Sequence, residues 1–255
     1  MPISDLVAVV TQIRCLRAGA TVGVGSGFFY EHEGAPYLVT NRHVLIDEKK
    51  NHRPDALALR LHTDSNDIRK NADLNLPLYA ASGSPFWREH PRHGPAVDVV
   101  ALPLDGAAVR KRFFIKALGT STHIPADVDI SIGEDLQVIG YPLGFHDQLH
   151  NLPIIRSATL ASVYPVPFQG HPYVLIDARL HSGTSGSPVM TKPTSILRKT
   201  DGSTAMLAGA ATYLLGVHSA SLDLTTRDPA EDEPLGLNLA WFASLIPEVI
   251  SGRAA

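Results

Sequence analysis

The strongest constraint on what this chain can fold into is the brevity of its apolar runs. "TVGVGSGFFYE", "PYLVTNRHVL", "DALALRLH", "VDVVALPL", "DLQVIGYPL", "IIRSATLASVYPV", "YVLIDARL", "SGSPVM" and "AGAATYLLGVHSAS" are each of strand length and are separated by Gly, Pro, Asn or Asp. Most alternate as half-buried strands do, and little helical periodicity lies between them. Many short strands without intervening helices predict an all-β chain built as a sandwich or a pair of barrels and exclude a βαβ fold. The two ends differ. Leu6, Val9, Val10, Ile13 and Leu16 recur every three or four residues behind Ser4 or Asp5 as an N-cap, which predicts an amphipathic helix over residues 5–17. "LGLNLAWFASLI" continuing into "IPEVISG" predicts a closing helix. Residues 47–56 and 62–96 are polar and turn-rich, and are expected to be long exposed loops holding one or two strands.

Charge narrows the function classes. At 255 residues, 18% charged and a net charge of −3, the chain offers no electrostatic attraction for nucleic acid or an anionic membrane. Arg110, Lys111 and Arg112 cluster in residues 105–128, where a join between two halves is expected, and are read as a solvated face of that linker. Cys15 is the only cysteine, so no intramolecular disulfide can form and a reducing compartment fits. The first residues lack the basic and apolar regions of a secretory signal, and no later run is long enough to cross a bilayer, so the expected location is cytoplasmic.

Two glycine-rich stretches invite a phosphate-binding reading and fail it. "GVGSG" at 23–27 runs into "FFYE", a strand, where a dinucleotide fingerprint needs a helix; glycines that permit close backbone approach or a bulge suit it better. "GTSGSP" at 183–188 has no following Lys and enters another strand. That turn suits a different chemistry. A serine nucleophile needs an imidazole base, a carboxylate to orient the imidazole, and backbone N–H groups aimed at the developing oxyanion. Among 12 histidines, His43 is distinctive because it stands where an apolar strand runs into a polar turn. Asp98 opens a markedly apolar strand, where a carboxylate needs a partner. Taken singly, each also fits a structural role.

Taken in order, "LVTNRHVL", "VDVVALPL" and "SGTSGSPV" resemble the His, Asp and Ser segments of the chymotrypsin-like serine proteases, with Asp98 following His43 by 55 residues and Ser185 following Asp98 by 87. "LIDARLHSGTSGSPV" is similar to the approach to the nucleophile in bacterial high-temperature-requirement proteases, and the resemblance covers about residues 20–245. It implies two antiparallel six-stranded β-barrels: an N-terminal helix at 1–19, a first barrel at 20–110 carrying His43 and Asp98, a linker at 111–127, a second barrel at 128–240 carrying Ser185, and a C-terminal helix at 241–255. It implies an intracellular endopeptidase that acts through an acyl-enzyme without metal or organic cofactor. Ser185 is then the nucleophile, His43 the base, Asp98 the orienting carboxylate, and the N–H groups of Gly183 and Ser185 the oxyanion hole. Arg179, Leu180, His218, Ser219, Ala220 and Ser221 are implied to bind substrate, with Ser219 also supporting Asp98.

Two departures from the family pattern carry further expectations. Thr184 stands where digestive relatives have the Asp that pairs with a newly cut N-terminus, so that switch is absent and the enzyme is either constitutively competent or controlled by a regulatory protein partner or loop ordering. Arg179 falls where trypsin carries its basic-selecting Asp, and His218 matches a pocket histidine of glutamyl endopeptidases, which together imply a preference for acidic residues or Gln on the acyl side. The rival reading is a catalytically silent or latent protease-fold module that acts as a partner-regulated binding protein. A serine esterase on another fold would need its serine at a "GxSxG" strand-to-helix elbow, which "GTSGS" does not match.

Overall fold

In the computed structural model, which describes residues 5–219 and 236–252, the chain forms two antiparallel β units and a small hairpin. The first unit holds β1 (Val10–Arg17), β2 (Ala20–His32), β3 (Ala35–Thr40), β4 (Ala56–His62), β5 (Asn71–Pro77) and β6 (Val100–Pro103), in the spatial order β5-β4-β1-β2-β3-β6. The outer strands β5 and β6 do not pair directly. The chain beyond β5 turns between Tyr79 and Pro85, and Arg88 then bridges Ala101 of β6, so the seam is closed by a single bridge in place of a ladder.

The second unit is a fully closed barrel. It is made of β7 (Asp135–Gly140), β8 (Ile154–Leu160), β9 (Tyr173–Asp177), β10 (Pro188–Thr191), β13 (Leu214–Ser219) and β14 (Leu237–Phe242), in the order β10-β13-β14-β9-β8-β7. Strands β11 (Thr194–Arg198) and β12 (Thr204–Ala211) pair only with each other. Among the described residues no helix is long and apolar enough to cross a membrane.

Strand alternation explains the unbroken buried runs of β2 over residues 25–30 and of β3 over residues 36–40. Phe29, Leu38, Val100 and Leu102 point into the first unit with Ile13, Leu57 and Leu59. Their neighbours Phe28, Tyr30, Val39 and Ala101 point the other way and join a core shared with the second barrel, including Val138, Val189 and Val217. Successive side chains of a strand face opposite sides, so covering both faces turns an alternating pattern into a continuous apolar one. The glycines of "GVGSG" serve close approach: a Cβ at Gly25 would stand 2.8 Å from Val44, and one at Gly27 2.8 Å from Ile13.

Several expectations need correction. The helix predicted over residues 5–17 is confined to α1 (Asp5–Val9), and residues 10–17 are the central strand β1, paired with both β2 and β4. Thr11, Ile13 and Cys15 face inward while Gln12 and Arg14 are only half-buried, a period of two that overlaps the three- and four-residue spacing read from the sequence. The first β unit therefore begins at Val10. At the other end, residues 237–242 are β14, and the closing helix α4 is only Leu245–Ser251; its Pro247 is tolerated because it lies in the first turn.

Between β3 and β4 the chain forms a single helical turn, α2 (Arg42–Leu45), and at the start of the region 105–128 it forms α3 (Gly106–Arg112), capped by Asp105 accepting from the Ala108 N–H. Leu118 N–H then donates to Phe29 O at 2.9 Å, tying the linker onto β2. Arg110 pairs with Glu31, and Arg112 donates to Asp73 O at 3.3 Å.

Cys15 offers a check on the placement of β1. Its thiol is 1% exposed, donates to Val44 O at 3.2 Å, and is pushed up to about 12 by burial. A thiolate is the reactive form, so Ellman's reagent at pH 8 is expected to leave the native protein unmodified and to titrate one thiol in guanidinium. Rapid reaction of the folded protein would contradict β1 as an interior strand.

Candidate active site

His43 lies in α2, the single helical turn that follows β3. Buried Val44 and Leu45 pin that turn to the first core. Asp98 sits just ahead of β6, between buried Val97 and Val99, and its own carbonyl accepts from Asn41 Nδ2 at 2.7 Å. The carboxylate faces the histidine along two bonds: Oδ1 accepts from the His43 backbone N–H at 3.0 Å, and Oδ2 lies 2.7 Å from Nδ1. An ionised carboxylate only accepts, so Nδ1 carries the proton and the Nε2 lone pair is left free. Ser219, at the end of β13, donates its hydroxyl to Asp98 Oδ2 at 2.8 Å. The carboxylate that orients His43 is thus held from both β units.

The turn between β9 and β10 is organised by its carbonyls. Ser182 O accepts from Leu143 N–H at 2.6 Å. Gly183 O accepts from the Ser26 hydroxyl at 2.8 Å. Thr184 O accepts from Ser187 N–H at 3.0 Å and lies 3.0 Å from His218 Nδ1, and Ser185 O accepts from Ser26 N–H at 2.9 Å. In a planar trans peptide the N–H points opposite to the carbonyl. Anchoring Ser182 O and Thr184 O therefore turns the N–H groups of Gly183 and Ser185 to the other face, and neither donates to another of the described residues. Gly186, at φ 85°, is obligatory: a Cβ there would stand 2.2 Å from Ser26 O. The side chain of Ser187 occupies space that Gly140 leaves open, since a Cβ on Gly140 would lie 2.0 Å from Ser187 Oγ.

Residues 25–194, which include His43, Asp98 and Ser185, match the family model of the trypsin-like peptidase domain. The chain belongs to that family. It is a serine endopeptidase, and its substrates are peptides or proteins. Its fold is similar to that of the Rv3671c protease from M. tuberculosis in its active form, at 18% identity and a TM-score of 0.53 over 98% of this chain and 82% of that one. It is similar too to the serine endoprotease from Yersinia pestis, at 16% identity and a TM-score of 0.51 over 98% of this chain and 66% of that one. No curated protein sequence matched the chain.

In this peptidase the residues expected to bind substrate are placed unequally. Arg179 is exposed; its carbonyl accepts from Arg156 at 2.7 Å, and its guanidinium is in no ion pair among the described residues. Leu180 is half-buried against the shared core. His218 is fully buried behind the nucleophile turn, with Nδ1 toward Thr184 O and Nε2 3.3 Å from Asn238 Oδ1. Asn238 cannot rotate to offer its NH₂, because Nδ2 already donates to Ala178 O and Gly236 O at 2.7 and 2.9 Å. Ala220 and Ser221 lie outside the described residues.

Ser26, Thr40, Asn41 and Asn238 were not singled out from sequence. Only Ser26 carries a signal, as the one polar residue of the "GVGSG" stretch.

Burial pushes His218 below the usual histidine value; the Thr184 carbonyl, the Asn238 side chain and Asp98 oppose this more weakly, and His43 adds to it. His123, half-buried beside Tyr30, is lowered for the same reason. In the unfolded chain both titrate near about 6.5. Below that pH the unfolded state binds more protons, so stability is fully present above it and is lost as pH falls toward the folded-state values. Denaturant titrations between pH 7.5 and 5 are expected to show this decline, with a shallower slope in His123→Gln; a flat profile would place both imidazoles in water.

Proposed function

We propose that the peptidase hydrolyses peptide bonds through an acyl-enzyme on Ser185. His43 Nε2 takes the hydroxyl proton as Ser185 Oγ bonds to the scissile carbonyl carbon. The resulting oxyanion accepts from the N–H groups of Gly183 and Ser185. His43 then gives the proton to the departing amine as the carbon–nitrogen bond breaks, and water, deprotonated by the same imidazole, releases the acyl group. Asp98, steadied by Ser219, keeps His43 in the required tautomer and stabilises its charged form.

The observation that carries this reading is the orientation of the nucleophile turn. With the carbonyls of Ser182 and Thr184 anchored away, two backbone donors stand ready before any substrate is present. This favours a competent enzyme over a latent module. Thr184 fits the same view, because its hydroxyl donates to His181 O at 2.7 Å and fastens the turn locally, in place of an ion pair to a new N-terminus. Any regulatory protein partner would act by altering the conformation of this turn. It also places the enzyme in a reducing, cytoplasmic setting, for which the lone buried Cys15 is suited.

For specificity, we propose a preference for acidic residues or Gln on the acyl side, carried chiefly by the exposed guanidinium of Arg179, six residues before Ser185 and in no ion pair among the described residues. His218 contributes less directly than the sequence suggests, since both ring nitrogens face protein oxygens.

Labelling with a peptidyl phosphonate tests the mechanism. The wild type is expected to label and Ser185→Ala to remain unlabelled, with Asp98→Asn lowering kcat by on the order of 10⁴-fold. A folded wild type that never labels would favour the binding module. A peptide library tests the pocket: Arg179→Ala should lower kcat/KM for Glu and Asp substrates by about tenfold, the size of one exposed to half-desolvated charge contact. Equal cleavage regardless of the acyl-side residue would remove the role given to Arg179.

A further inference from the structure

One buried hydroxyl outside the triad is tied to more of the nucleophile turn than any triad member. Ser26, in β2 of the first unit, is fully buried and uses both its N–H and its hydroxyl on the interface between the two units. Its N–H donates to Ser185 O at 2.9 Å, its Oγ donates to Gly183 O at 2.8 Å, and the same Oγ accepts from Tyr141 N–H at 2.9 Å. Its carbonyl accepts from Thr40 Oγ1 at 2.7 Å. A hydroxyl has one proton to give, and here the rotor is fixed between a donor and an acceptor.

We propose that Ser26 is a positioning residue for the oxyanion hole, acting through the conformation of Gly183; this rests on the reading of Gly183 and Ser185 as oxyanion donors. Gly183 sits at φ 91°, in the region open chiefly to glycine. That residue links two peptide planes. The plane before it is held by Leu143 N–H on Ser182 O, and the plane after it by Ser26 Oγ on Gly183 O. The first plane carries the Gly183 N–H, and the second joins it to the plane that carries the Ser185 N–H, so Ser26 fixes the relative aim of the two donors. Remove the hydroxyl and the joining plane keeps only the Thr184 N–H on His181 O, at 3.2 Å, beside the residue with the widest conformational choice. Gly183 O and Tyr141 N–H also lose their shared partner inside the protein, a change that favours rearrangement of the turn. The two donors then spend part of their time out of mutual alignment, while the residues that contact the ground-state substrate are untouched.

The test compares Ser26→Ala with Ser26→Thr, which keeps the hydroxyl. In Ser26→Ala, kcat should fall about ten- to hundredfold, less than the loss on deleting an oxyanion donor outright, with KM within about twofold. A peptide boronic acid, which forms a tetrahedral adduct on the nucleophile, should bind more weakly by the same factor as kcat falls. Ser26→Thr should recover most of both. Should Ser26→Ala fail to fold, Ser26→Cys gives the same readouts, because a thiol is nearly isosteric but a weak donor. Unchanged kcat in a folded variant, or Thr as impaired as Ala, overturns the proposal, as does a loss that merely tracks the unfolded fraction. Phosphonate labelling of the wild type separates this from the underlying mechanism: unlabelled wild type refutes the mechanism, whereas labelled wild type with unaltered Ser26→Ala refutes only the role of Ser26.

Discussion

Four consecutive carbonyls, from Ser182 to Ser185, are each held by a donor from outside the peptide they belong to, and most of the site's geometry follows from that. Backbone amides are stiff planes joined at soft dihedrals, so fixing the carbonyl of each plane leaves the intervening residues no freedom. The groups that hold them come from widely separated places: Ser26 in β2, Leu143 in the loop after β7, and Ser187 ahead of β10, with the His218 ring of β13 against Thr184 O. A short glycine-rich turn that would be floppy alone is held rigid because three neighbouring elements surround it. The cost is a dense set of steric requirements, met by glycine at 140 and 186, where a Cβ would stand 2.0 and 2.2 Å from its nearest neighbours.

The histidine and carboxylate depend on the same junction from the opposite side. His43 and Asp98 flank strands of the first unit, but Ser219, which completes the coordination of Asp98, ends β13 of the second. The apolar contact between the units is built from the outward faces of β2, β3 and β6. Burying both faces of these strands leaves little room for sliding, since interiors are packed to the density of organic crystals. The polar site inherits its precision from that apolar surface.

Much of this was legible in the sequence, and the exceptions share a cause. His43, Asp98 and Ser185 each lie where a strand meets a turn, so short windows of sequence reveal them. The strand content followed from local alternation in the same way. The central strand β1 was misread because Val10, Ile13 and Leu16 satisfy a helical spacing as well as Thr11, Ile13 and Cys15 satisfy a strand's; pairing with β2 and β4 decides between them, and no local signal reports it. Arg179 and His218 sit near the nucleophile in sequence, but exposure of one and burial of the other depend on how the barrel closes. Ser26 was passed over because its partner Gly183 lies 157 residues away.

That separation has a consequence for the life of the chain. Loops of such length close late, since ordering them costs entropy before any contact repays it. The N-terminal half, emerging first from the ribosome, carries a histidine and a carboxylate but no nucleophile. The C-terminal half carries the serine but lacks the strand that aims its amides. Neither fragment holds the means to cut, and a chain still being made is harmless to itself and to its neighbours. On the proposed mechanism cutting needs His43, Asp98 and Ser185 together, so competence follows only once both β units are folded against each other.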